Sequence, residues 1–329
     1  MGYARRLLWF QRELATAPAA SAAGLALTLY TFGELFAGTR AWSQGLEMLD
    51  FVGKSFDAIY TVSDESICHT DFLTPVGFLR VFAHILAMHR GGVFLAAIPC
   101  NSWVFFSRNS TGRHLAILGN DSSALVRAHN ALVARVVYLL ILCIKRGVFW
   151  IVEQPWTSIV WNHPRWQYLE KRFGEHIVYV EHDMGAYTLD VVKKSVFVGT
   201  APYIKDLGTV LTPEGRRLVL NNPIKKQTGV RYIDGEGVSR SKGGKDLKKT
   251  EHYAMAFGCR HANLYDSTCN SYAEAGELGY DIRSDASTDS EIGDEEWCFE
   301  DFKNNPDCYK LDDTSVTKSS LKKRKHQTL

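Results

Sequence analysis

The sequence predicts an α/β fold, a mostly parallel sheet with helices on both faces and an antiparallel last strand. Three observations predict it. Short apolar runs alternate with stretches of helical spacing through the first two-thirds of the chain, as in parallel strands joined by helical crossovers. Most of these runs end at a glycine, a proline or an acidic residue, which punctuate elements. Two strands, at residues 176–181 and 195–199, then follow each other with no long helix between them, as a closing antiparallel pair would.

In order, residues 30–36 (YTFGELF) read as a strand ended by Ala37 and Gly38, and residues 42–49 as the helix after it. Residues 56–62 (FDAIYTV) read as the second strand, closed by Ser63, Asp64 and Glu65. The span between Glu65 and Asp71 leaves little room for a separate third strand. Residues 76–89 have helical spacing, and 93–98 (VFLAAI) form a strand stopped by Pro99. A long helix over 122–145 carries Leu125, Leu132, Val136, Leu139 and Cys143 on one face. Gly147 ends it, 148–152 is a buried strand, and 163–173 is a short helix stopped by Gly174.

After residue 205 the pattern weakens. Residues 239–249 are rich in glycine and lysine and read as a linker, and 248–265 as partly helical. The expected division is a helical extension over 1–29, the α/β domain over 30–205, an irregular extension over 206–280, and a disordered acidic-then-basic tail over 281–329. Residues 1–29 also suit a transit peptide. In the tail, SDASTDSE suits an acid-directed kinase, and Lys322, Lys323, Arg324 and Lys325 resemble a nuclear-localisation signal.

Composition narrows the function. A net charge of +2 over 329 residues is not that of a polycation, so any nucleic-acid contact needs a local basic patch. Seven cysteines without a CxxC pair give neither a disulfide framework nor a metal-ligand spacing, and predict a reducing compartment, nuclear or cytoplasmic. The longest apolar run, 136–144, is shorter than the roughly 20 residues a bilayer needs, so no membrane is expected.

Three strand ends carry chemistry. Phe36, Ala37 and Gly38 form a turn where a glycine lets the backbone approach a nucleotide-like ligand. Pro99 and Cys100 put a thiol at the end of a strand, where a thiolate can act as a nucleophile. Glu153, Gln154 and Pro155 put a carboxylate at another. Taken singly, these read as an ordinary turn, a structural cysteine and a solvated glutamate.

Taken in order, FAG with GLE, then PC, then EQP, then the glycine, aromatic and basic residues of 183–202 resemble the DNA cytosine-5 methyltransferases over residues 30–203. The resemblance implies a Rossmann-like methyltransferase fold and S-adenosyl-L-methionine as cofactor. By that likeness Phe36, Ala37, Gly38 and Pro99 line the cofactor site, Asp64 or Glu65 holds the ribose and Asp71 lies beside the adenine. Cys100 attacks C6 of a flipped cytosine, Glu153 meets N3, and Lys194, with Lys193 as alternative, is the basic residue. Arg108 and Arg113 contact phosphate of a nucleic-acid partner, DNA in the first place.

The sequence departs from the family at Arg40 and Ala41, which stand for glycines, and at Asn101 and Gln154-Pro155. Residues 201–280 leave no room for a large target-recognition domain. These departures keep two other readings open: a catalytically silent binding module, and a methyltransferase for another acceptor with Cys100 structural.

Overall fold

The computed structural model describes residues 30–188, 190–223, 229–237, 239–243, 246 and 253–274. The expected extension over 1–29 and the tail over 281–329 lie outside them.

Seven strands form one sheet: β1 Tyr30–Leu35, β2 Gly53–Asp57, β3 Ile67–His69, β4 Met88–Ala96, β5 Phe149–Pro155, β6 Val178–Asp183 and β7 Lys194–Gly199. Their order is β3-β2-β1-β4-β5-β7-β6. The pairs β1–β2, β1–β4, β2–β3 and β4–β5 are parallel. β7 runs antiparallel to both β5 and β6. This is the predicted Rossmann-like sheet with its reversed last strand. The chain moves outward from β1 to β3 and then returns to place β4 on β1's other side. A ligand crevice forms at such a reversal, outside the carboxyl ends of the strands.

Side chains alternate between the two faces of a strand, and here each face has its own core. Phe94, Ala96, Trp150, Val152, Val196 and Val198 meet α2 (Pro75–Leu86), α3 (Ala124–Arg146) and α4 (Pro164–Phe173). Phe32, Val93, Leu95, Ile151 and Phe197 meet α1 (Ala41–Glu47) and a late helix, α8 (Met255–Glu274). Between β6 and α8 lie three further helices, α5 (Gly185–Thr188), α6 (Ile204–Leu207) and α7 (Pro213–Asn221), and a separate hairpin, β8 (Gly229–Ile233) with β9 (Ser239–Gly243). α3 is long and apolar enough to cross a membrane; here Leu132, Val136, Leu139 and Cys143 lie in the core beside the sheet.

Several boundaries differ from expectation for physical reasons. β2 ends at Asp57 because the carboxylate takes the amides of Gly38 and Ile59 at 2.9 and 3.0 Å, so Ile59 and Val62 of the apolar run stay exposed. A third strand does fit before Asp71: β3 needs only three residues, because it is an edge strand paired with β2 alone. Thr74 caps α2, with Pro75 in its first turn, and the helix ends early enough for β4 to begin at Met88. Met88 pairs with Tyr30, and a register shift separates that pair from Phe32–Val93. Part of the expected linker is strand β9, and the expected partly helical stretch is the longer and later α8.

α8 is part of the domain's packing. A β-carbon on Gly258 would lie 1.8 Å from the Ala41 carbonyl oxygen, and one on Gly45 would lie 2.3 Å from the Gly258 backbone. Two glycines thus let α1 and α8 touch backbone to backbone. The contact seats Phe257 and Tyr253 against Trp42, each ring 5.3 Å away. Burial of one such ring contributes roughly 2 kcal/mol. Gly258→Ala is therefore expected to cost at least about 2 kcal/mol in chemical denaturation, because the Ala41 carbonyl it would meet is rigid backbone.

Candidate active site at the strand tips

The turn after β1 holds three residues in left-handed backbone: Phe36 (φ 61°), Gly38 (φ 53°) and Arg40 (φ 64°). Two are not glycine, and such positions are costly and concentrate at functional sites. The turn is fastened to β2, with the Phe36 and Ala37 amides donating to the Phe56 carbonyl at 2.9 and 3.3 Å. A β-carbon at Gly38 would meet nothing within 4 Å, so the turn borders open space. Phe36 packs its ring edge-on against Phe72 at 5.6 Å, and Ala37 is buried.

Below the turn lies a polar chain. Glu34, buried on β1, accepts from the amide of Ser43 at 3.0 Å and from its hydroxyl. Ser55 donates to the Ser43 hydroxyl at 2.7 Å, and Arg40 donates to Ser55 at 3.1 Å. The Arg40 guanidinium also pairs with Glu47, which turns it back onto α1 and β2. Burial pushes the Glu34 carboxyl up to about 7, with the Ser43 hydrogen bonds opposing.

Cys100 follows β4 and is half-buried; its carbonyl accepts the Trp103 amide at 2.8 Å. Glu153, on β5, is 6% exposed. Its face of the sheet is that of Ile151 and Phe197, and the Ser195 hydroxyl donates to it. The neighbouring Gln154 points to the other face. Its amide nitrogen donates to the Ile98 carbonyl at 2.5 Å and its oxygen accepts from Ser158 at 2.8 Å. β5 thereby grips the segment that carries Pro99 and Cys100.

A residue that the sequence did not reveal joins these tips. The phenol of Tyr253, just before α8, lies near Glu153 and within electrostatic reach of Glu34 and Cys100. Burial, then the two acids, hold this phenol well above its ordinary value and so protonated. Glu34, Cys100 and Glu153, from β1, the loop after β4, and β5, thus all act electrostatically on this phenol. Asp57 was also missed. It stands 19 residues after Gly38 and is bonded to it, a spacing at which an acid meets ribose in nucleotide-binding α/β folds.

Other expected residues lie elsewhere. Asp64 and Glu65 are exposed, and Asp64 ties its own loop by accepting the amides of Ser66 and Ile67 at 2.7 Å, which lowers its carboxyl. Asp71 is exposed at the entry to α2, where it accepts from Leu73 at 3.0 Å. Lys194 shares the face of Val196, away from Glu153, and pairs with Glu181 at 3.4 Å; Lys193 lends its carbonyl to Met184. Arg113 does not face solvent. It is 4% exposed, stacks on Trp103 at 3.3 Å, and donates to Ile117, Asn130 and Ser102. Burial lowers it to about 10. Arg108 donates to the Thr157 carbonyl at 2.7 Å, linking the loop after Cys100 to the loop after Glu153.

No family model and no curated protein matches this sequence. The solved structures it resembles include the Entamoeba histolytica methyltransferase EhMeth (10% identity, TM-score 0.36, 53% of each chain). They also include the S. pombe Dnmt2 methyltransferase (8%, TM-score 0.31, 51% of this chain and 48% of that one). A Spodoptera frugiperda DNMT2 mutant matches at 14% identity, with a TM-score of 0.31 and 52% of this chain against 50% of that one. The matches span about half the length of each.

The raised Glu34 carboxyl has a consequence for pH. The folded protein holds this proton up to about pH 7, whereas the unfolded chain releases it near the ordinary value of 4.5. Stability therefore falls as pH rises through that window. Glu34→Gln keeps an acceptor for Ser43 without the charge. Its stability relative to the native chain should grow from pH 4.5 to 7, by on the order of 3 kcal/mol, and then level off. Thermal melts across that range measure the difference.

Proposed function

We propose that this chain is an S-adenosyl-L-methionine-dependent methyltransferase of cytosine-5 type acting on nucleic acid. The observation that carries the reading is the meeting of a thiol, a buried carboxylate and an open glycine turn at one edge of the sheet.

The residues present fit the cofactor. Gly38 borders open space, and Asp57 accepts the Gly38 amide beside it, which supports a role for this carboxylate toward a ribose hydroxyl. Arg40, which replaces a glycine of the family, is folded back by Ser55 and Glu47 rather than extended from the turn. S-adenosyl-L-methionine, when bound, supplies an electrophilic methyl group. Gly38 and Asp57 would hold its nucleoside end, with Asp57 taking the place first expected of Asp64 or Glu65.

Cys100 is the nucleophile in this reading, adding to C6 of a cytosine so that C5 gains electron density. Glu153 faces the ring's N3 side. Its two hydroxyl neighbours, Ser195 and Tyr253, orient the carboxylate and must rearrange to share it with the base. A cytosine inside a duplex cannot reach these groups, so the target base has to be unpaired or flipped.

One observation favours a second reading, a silent module that binds without catalysis: the Glu153 carboxylate is already engaged by the Ser195 hydroxyl. Calorimetry with S-adenosyl-L-methionine, followed by transfer assays on cytosine-containing DNA and RNA, separates the two. On the catalytic reading the cofactor binds, Asp57→Ala weakens it about 10-fold or more, and Cys100→Ser abolishes transfer. Cys100→Ser also abolishes covalent trapping by 5-fluorocytosine. Cofactor binding without transfer supports the silent module; full transfer by Cys100→Ser removes the thiol from the mechanism.

A further inference from the structure

The loops that follow Cys100 and β5 carry exposed aromatic rings. Phe105 and Phe106 are 63% and 48% exposed, and they sit edge to face at 6.1 Å in the short turn Phe105–Ser107. Trp156, just past β5, is 48% exposed. The two loops are neighbours: Arg108 lies 5.9 Å from the Phe105 ring and donates to Thr157, the residue after Trp156. A second loop-to-loop bond runs from the Ile159 amide to the Trp103 carbonyl at 3.1 Å. Lys194 lies 5.9 Å from the centre of the Trp156 ring.

Rings left in water beside cations do not suit an apolar protein face, which would have to bury the charges. They suit a polyanion that offers flat π-faces. Paired bases hide those faces inside a duplex, whereas unpaired bases present them.

We propose that Phe105, Phe106 and Trp156, with Arg108 and Lys194 at their edges, form a stacking platform for unpaired nucleobases next to Cys100. The proposal rests on the reading of the site as a nucleic-acid methyltransferase and deepens it: the acceptor is a single-stranded or looped segment rather than an intact duplex. Bases flanking the target cytosine stack on the rings, the two cations meet phosphate, and the target is delivered to the thiol without prior opening of a helix. Two loops that follow β4 and β5, the strands leading to Cys100 and Glu153, supply the rings, so platform and reacting groups share one frame.

The test uses the full chain and a fluorescent cytosine-containing oligonucleotide of about 12 nucleotides, as DNA and as RNA, single-stranded and paired with its complement. Anisotropy is expected to show tighter binding of the single strand, weakened by salt. Trp156→Ala, and Phe105→Ala with Phe106→Ala, should each weaken it about 5- to 100-fold, while Trp156→Phe keeps most of it. Leu218→Ala, at a position on α7 that is 56% exposed, should leave binding unchanged, and circular dichroism should show every variant folded.

Tighter binding of the duplex overturns the proposal, as does single-strand binding indifferent to the aromatic variants. Loss of self-association in Trp156→Ala, with oligonucleotide binding intact, assigns the surface to a second copy of the chain and also overturns it. Binding of no oligonucleotide in either form refutes the nucleic-acid acceptor itself, an outcome distinct from failure of the platform alone.

Discussion

The site depends on the parallel register of three central strands. Leu35 of β1 pairs with Ala96 of β4, and Ala96 pairs with Val152 of β5. One row of residues therefore crosses all three strands, and the chain beyond that row leaves the sheet at one edge. Gly38, Cys100 and Glu153 follow their rows by three, four and one residues, so no loop has to bring them together. A slip of one residue in β5 would send Glu153 to the face now occupied by Gln154, and exchange the carboxylate at the site for the amide that grips the Cys100 segment.

That geometry places two carboxylates, Glu34 and Glu153, under a single layer of helix. Burial of a charge is unfavourable without partners, and the sequence supplies them as hydroxyls: Ser43 and Ser55 near Glu34, Ser195 and Tyr253 at Glu153. Hydroxyls can donate to an anion or accept from an acid, so the surroundings of Glu34 tolerate either of its protonation states where a lysine partner would fix one. The late helix α8 is integral to this arrangement. Its glycine contact with α1 sets Trp42, Phe257 and Tyr253 in one cluster of tilted rings, and so the C-terminal part of the described chain covers a site begun at the first strand.

Much of the sheet was legible because apolar runs and helical spacing alternate so regularly. The three strand tips were legible because a glycine, a thiol and a carboxylate each follow such a run. What failed had local causes. The run at 56–62 looks like a strand, yet Asp57 captures two amides and stops it. Arg113 reads as a loop cation, but the partners that bury it, Trp103, Ser102, Ile117 and Asn130, are scattered and ordinary in sequence. Lys194 lies at the right height and on the wrong face, a distinction that rests on antiparallel register rather than on spacing. Tyr253 left no signal, since nothing local links a residue after a glycine-rich stretch to a strand 100 positions earlier.

Arg113's burial also bears on function. Its stack on Trp103 and its bond to Ser102 place a cation directly beneath the segment after Cys100. His129, at 2.9 Å from Ser102, and His163, edge-on to Trp103, complete that floor. Burial, and then the Arg113 charge, hold these imidazoles down to about 4 and about 3, so they are neutral at physiological pH and add no repulsion to the cation. The segment is thus clamped from below by the Arg113 cluster and from the side by Gln154 and Arg108. A thiol held in a fixed frame suits the proposed chemistry, in which the acceptor rather than the thiol must be brought into line.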